Sequence, residues 1–119
     1  MPSLTALAGA ATAGFSAVFV AAPAVLPRPC GIDDTRQTRA LARMVGARDV
    51  VLGLAMVAAA PGAPRRLAVA GRVVADCTDA AALAGGLAGP GRRGLVSASA
   101  AAWGLVCLGA GVLDERAGR

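Results

Sequence analysis

The chain has no histidine, which excludes a zinc site, a histidine-ligated haem and a Ser-His-Asp triad. Its three cysteines, Cys30, Cys77 and Cys107, are well separated. They form no C-x-x-C pair for redox work and no metal-ligand spacing, so neither a metal nor a cofactor is expected. Cys77, between Asp76 and Thr78, reads as a small packing residue beside a polar region. Aromatic residues are scarce, at 3%. Lysine is missing as well, since all twelve basic residues are arginine. No aromatic platform or nucleic-acid motif accompanies them. The net charge of +5 therefore reads as interfacial anchoring with some affinity for anionic lipid head groups, and no nucleic-acid partner is expected.

What the chain does have is apolar length. Hydrophobic residues are 56% of its 119 residues, and the mean hydropathy is +0.64. That is well above an ordinary soluble protein, and the length suits one domain. From Leu4 to Leu26 there is no charged residue. A helix needs about 20 apolar residues to cross a hydrocarbon core of about 30 Å. The segment lacks a basic n-region and exceeds the ~7–15 residues of a signal-peptide core. It reads as an uncleaved first membrane helix.

Punctuation by proline and glycine predicts four helices, at about 3–26, 38–60, 65–88 and 95–113. Pro27 and Pro29 follow the first, Pro61-Gly62-Ala63-Pro64 the second and Gly89-Pro90-Gly91 the third, because proline cannot continue a helix. Asp34 or Thr35 is placed to cap the second, and Asp114 to Arg119 read as a polar tail. Short connections favour an up-down arrangement. The expected fold is an all-α, integral membrane four-helix bundle over 1–119, in a bacterial plasma membrane, with both termini on one side. The first and third loops carry Arg28, Arg36, Arg39, Arg92 and Arg93, against Arg65, Arg66, Arg116 and Arg119 elsewhere. That balance leaves orientation undecided by the positive-inside rule.

Two of these helices carry charges where charge is expensive. The second holds Arg48 and Asp49, and the third holds Arg72, Asp76 and Asp79. Each Arg or Asp at a bilayer centre costs roughly 2.5–3.5 kcal/mol on the mildest scale. Arg72, Asp76 and Asp79 fall at i, i+4 and i+7, on one stripe about 60° wide. Counted outward from the turn near Ala63, Arg48 and Asp49 reach nearly the same depth as Asp76 and Asp79. Antiparallel neighbours can thus set Arg48 against Asp76 or Asp79, while Arg72 can pair with Asp76 on its own helix. Arg48 and Asp49 lie about 100° apart, so one of them can point to the first or fourth helix. Thr12, Ser16, Ser97 and Ser99 are the few polar partners there, although such hydroxyls often bond back to their own backbone.

Two arginines against three aspartates leave one excess negative charge, so one carboxylate is expected to hold a proton. Asp79, farther along the helix from Arg72, is the candidate, with Asp76 the better-paired partner. The candidate catalytic groups are thus Asp76, Asp79 and Asp49, and the candidate substrate-binding groups are Arg48 and Arg72. The competing reading is structural, since ion pairs between membrane helices also fix register or lie hidden between subunits. Arg43, near its helix start, reads as a snorkelling anchor. Small residues at four-residue spacing, such as Gly9 with Ala13 and Ala100 with Gly104, permit close helix packing and a homo-oligomer.

The string from Ala42 to Leu54, with Arg48 and Asp49 at its centre, is followed by a third helix bearing Arg72 and Asp76-Cys77-Thr78-Asp79. This pattern resembles small actinobacterial membrane proteins of the DoxX-like kind, over roughly the middle half of the chain. The resemblance implies a four-helix membrane bundle, and links some members to quinone-dependent sulfur or oxidative-stress chemistry. It carries over no catalytic residue. Three functions follow from the residues: acid/base chemistry on a lipophilic small molecule, proton- or cation-coupled transport, or a non-catalytic accessory role in a membrane complex.

Overall fold

The computed structural model describes residues 1–119 and contains helices and connecting turns, with no strand. The four α-helices are α1 (Leu4–Ala21), α2 (Arg36–Ala58), α3 (Ala63–Ala82) and α4 (Arg93–Ala117). They form an elongated bundle of 47 × 26 × 19 Å. Packing is most extensive between α1 and α2 and between α3 and α4, and sparser across the α2/α3 and α1/α4 seams.

Local chemistry sets the boundaries. At the start of α1, the Ser3 side chain accepts from Ala6 N at 3.0 Å. The helix stops at Ala21, five residues short of the sequence expectation, because Pro23 cannot extend it and opens a short 3₁₀ turn instead. Thr35, not Asp34, caps α2. Its hydroxyl accepts from Thr38 N at 3.1 Å, and the Thr38 hydroxyl accepts from Thr35 N at 2.8 Å. Gly62 takes a φ of +91° to turn the chain into α3, whose first turn tolerates Pro64. After Ala82 the third helix widens into a π-helical turn, Leu83–Leu87. Gly86 ends that turn with a φ of +128°, which side-chain-bearing residues resist.

The fourth helix runs on to Ala117, so Asp114 and Glu115 belong to it and not to a tail. The Asp114 carboxylate accepts from Leu4 N at 3.1 Å, Thr5 N at 2.7 Å and the Thr5 hydroxyl at 2.6 Å. It thereby satisfies amides at the start of α1 that have no partner in their own helix. Glu115 accepts from Gly62 N at 3.0 Å and lies 3.7 Å from Arg65. One end of the bundle thus holds both chain termini and the α2–α3 turn. At the other end Gly89 N donates to Cys30 O at 2.9 Å, joining the first and third loops, and burial pushes the Cys30 thiol pKa up.

The interior is small and partly polar. Met56, Val69 and Cys107 form its apolar centre, while Thr5, Thr12, Ser16, Asp49, Arg72 and Asp76 are also buried. The outside carries Leu7, Phe15, Val51, Leu54, Leu67, Val74, Leu95 and Leu105, all more than half exposed. Helices α1 and α4 are long and apolar enough to cross a membrane. Glycine lets α1 and α2 approach closely: a Cβ on Gly53 would stand 2.5 Å from Gly9 O and 2.7 Å from Ala13 N.

Candidate functional site

The five charges of α2 and α3 form one continuous chain. Arg48 faces Asp79 with a two-pronged contact, Nη1 donating to Oδ1 at 3.0 Å and Nη2 to Oδ2 at 2.6 Å. The other edge of the same guanidinium donates from Nε to Asp49 Oδ1 at 2.9 Å. That oxygen also lies 3.0 Å from Arg72 Nη1. Arg72 in turn grips Asp76 one turn along its own helix, through Nε to Oδ2 at 3.0 Å and through Nη2 to Oδ1. The order is Asp79, Arg48, Asp49, Arg72, Asp76, with acid and base alternating throughout.

Burial changes along it. Arg72 is 1% exposed and Asp76 4%, whereas the side chains of Arg48 and Asp79 keep 35% and 24%. The chain therefore runs from the bundle interior to its lateral edge on the α2/α3 seam. Arg72 Nη1 is buried and makes no hydrogen bond of good geometry, so its contact with Asp49 is purely an ion pair. Asp76 also packs on α4, where a Cβ at Gly104 would come within 3.0 Å of its own Cβ. Glycine at 104 makes the room that the buried carboxylate needs.

The expected residues thus meet, with two differences. Asp49 does not turn toward α1 or α4; it faces α3 beside Arg48, because Arg72 reaches across the seam to it. Asp79 is not short of a cation despite its distance from Arg72, because Arg48 supplies one. The hydroxyls contribute little to this chain. Ser97 and Ser99 donate to Arg93 O and Leu95 O of their own helix, at 2.6 and 2.8 Å. Thr12 donates to Ala8 O at 2.9 Å and accepts from Trp103 Nε1 at 3.0 Å, and Ser16 is buried on α1.

Two clefts lie away from the charge chain. An apolar groove of about 490 Å³ follows the α1/α4 seam between Leu4, Leu7, Trp103, Val106 and Leu113. Trp103 lines it, and the next residue, Gly104, seats Asp76 on the inner side. The second cleft, about 290 Å³, is polar and surrounds the start of α2. Sequence reasoning missed Asp114 and Glu115 as partners of other helices. Their only signal was acidity close to the predicted end of α4, which fits a helix start on a neighbour.

No grouping of histidine, cysteine and carboxylate suits a metal ion. Comparison with family models, curated proteins and solved structures finds no match to the chain.

Proposed function

We propose that this chain is an integral protein of a bacterial plasma membrane whose Arg/Asp chain receives the polar group of a lipophilic small molecule and exchanges a proton with it. The distribution of side chains supports the membrane reading. Large apolar residues lie on the outside, whereas Thr5, Thr12, Ser16, Asp49, Arg72 and Asp76 are buried. A soluble monomer rarely exposes contiguous apolar surface beyond a few hundred Å². The 47 Å long axis also suits a bilayer of about 40–45 Å including its head groups.

One observation carries the chemistry: three carboxylates alternate with two guanidiniums, and the chain ends at a partly exposed pair, Arg48 and Asp79. Three carboxylates share two guanidiniums, so the set carries one excess negative charge in a low-dielectric interior. A molecule arriving through the α2/α3 seam meets Arg48 first, whose Nη atoms orient an oxygen. Asp79 then gives or takes the proton. Asp49 holds the Arg48 side chain in place, and the Arg72–Asp76 pair sets the charge behind it. Reactions of this class include isomerisation, cyclisation and ring opening by general acid/base catalysis. The resemblance to DoxX-like membrane proteins belongs to the same proposal.

A second reading has its own support. Every charge already has a partner within the chain, and neither of the two clefts described above touches it. That saturation favours an assembly role, in which the charges lock α2 to α3 in an accessory subunit of a membrane complex.

Purified parent, Asp76→Asn and Asp79→Asn proteins in detergent separate the two, by folding, oligomer size and mass spectrometry of co-purified lipophilic compounds. Folded variants that lose a compound held by the parent support the binding reading. Variants that fall apart, with no compound in any sample, leave the assembly role.

A further inference from the structure

Arg36, Arg39 and Arg43 stand at i, i+3 and i+7 on α2, within about 60° of arc. With Asp34 and Thr35 they line the cleft of about 290 Å³, which has no apolar residue in its wall. Asp34 accepts from Arg39 Nε at 2.6 Å and Nη2 at 2.9 Å, fixing that guanidinium at the cleft wall. Arg36 has no ion-pair partner, and Arg43 makes only a long 3.5 Å contact to Val20 O. Two guanidiniums are therefore uncompensated there. Arg28, Arg92 and Arg93 share this end of the bundle, and six arginines against Asp33 and Asp34 give it a formal +4.

The stripe changes character below the cleft. On the same face of α2, Arg36 and Arg43 are followed by Ala47, Val51 and Leu54, all exposed, with Val51 at 66% and Leu54 at 54%. Cationic groups above and a bare apolar strip below match a molecule with an anionic head and a hydrocarbon tail. Arginine suits a phosphate head because its planar fork donates two parallel hydrogen bonds to phosphate oxygens. A free phosphate would use the guanidiniums and leave the strip uncovered.

We propose that the cleft formed by Arg36, Arg39 and Arg43 is a binding site for the phosphate head group of an anionic phospholipid, with its acyl chain along Ala47, Val51 and Leu54. The proposal rests on the membrane reading above, but not on the proton chemistry of the buried charge chain.

The detergent-purified protein is titrated with phosphatidylglycerol, phosphatidylcholine and inorganic phosphate, and lipid retention is read by native mass spectrometry. Phosphatidylglycerol should be retained in preference to phosphatidylcholine. The Arg36→Gln/Arg43→Gln variant should weaken it roughly 25-fold, about fivefold for each arginine. Arg66→Gln/Arg116→Gln, at the opposite end, should retain it like the parent, and circular dichroism confirms that both variants are folded. Equal retention of the two lipids overturns the site, as does equal loss in the two variants. Displacement of phosphatidylglycerol by millimolar inorganic phosphate assigns the cleft to a free anion and overturns the lipid source. A chain that remains in the aqueous fraction when expressed without detergent overturns the membrane reading itself, a result distinct from indifference to head group.

Discussion

Asp49 of α2 and Arg72 of α3 meet at 3.0 Å, and this one contact joins two otherwise separate ion pairs into a single chain. Charge counting decides what its loss would do. Asp49→Asn removes the excess negative charge and leaves Arg48 forked to Asp79 and Arg72 forked to Asp76. Its cost should be that of weakened hydrogen bonding, about 0.5–1.5 kcal/mol. Arg72→Met instead strands Asp76 in the interior, while Asp49 keeps Arg48, and should cost about 3–5 kcal/mol. Unfolding of the two variants in the same detergent gives the comparison. Equal losses would mean that Asp49 must carry its charge for either pair to form.

The number of helices and the pairing of α2 with α3 were legible because proline, glycine and residue counting act locally, although α1 ends earlier and α4 later than the sequence suggests. Depth counted from the turn near Ala63 sets Arg48 against Asp76 or Asp79, and a four-residue step joins Arg72 to Asp76. The direction taken by Asp49 was not legible. An offset of 100° around a helix is compatible with two neighbours, and only the reach of the Arg72 side chain across the seam selects one. Asp114 and Glu115 were hidden for a related reason, since what they cap is far away in sequence. Gly9 and Gly104 carried a spacing signal, but in a chain with 16 glycines such spacings arise freely. The proposed membrane character rests on composition and on two apolar helices, and the chemistry of any ligand rests on contacts that a sequence does not display.

Asp114 ties the end of α4 to the start of α1 through three hydrogen bonds, from Leu4 N, Thr5 N and the Thr5 hydroxyl. Losing a capping side chain costs about 0.5–2 kcal/mol, and the negative charge beside the helix start adds a few tenths more. Asp114→Ala should therefore destabilise the bundle by about 1–2 kcal/mol, and Thr5→Val by about 1 kcal/mol. Hydrogen exchange of the first turn of α1 should accelerate in both variants. An unchanged rate in Asp114→Ala would show that the cap is not made in solution.

Asp34 titrates outside the apolar part of the bundle, and hydrogen bonding from Arg39 holds its carboxyl below the usual 3.8. A carboxylate whose folded pKa is depressed stabilises the fold above its unfolded pKa, and that contribution fades as pH falls through the lower folded value. Carbon-13 shifts of Asp34 should report titration below 3.8, and Arg39→Gln should move it back up. Titration of the parent at or above 3.8 would mean that the fork between Asp34 and Arg39 is open.

Gly53 and Gly14 offer a matched test of helix contact. A methyl group at Gly53 would stand 2.5 Å from Gly9 O and 2.7 Å from Ala13 N. Both are backbone atoms, so the strain is relieved only by moving α1 away from α2, and overpacking of this kind costs about 1–3 kcal/mol. At Gly14 the added methyl group meets nothing within 4 Å. There the helix gains the propensity difference between glycine and alanine, about 0.8–1 kcal/mol. Gly53→Ala should thus lower the midpoint of thermal unfolding in detergent, and Gly14→Ala should leave it equal or raise it. A loss of similar size at both positions would place the α1/α2 contact elsewhere. A loss at Gly53 alone shows that α1 and α2 approach closely at that glycine, where its added methyl group would meet the backbone of Gly9 and Ala13.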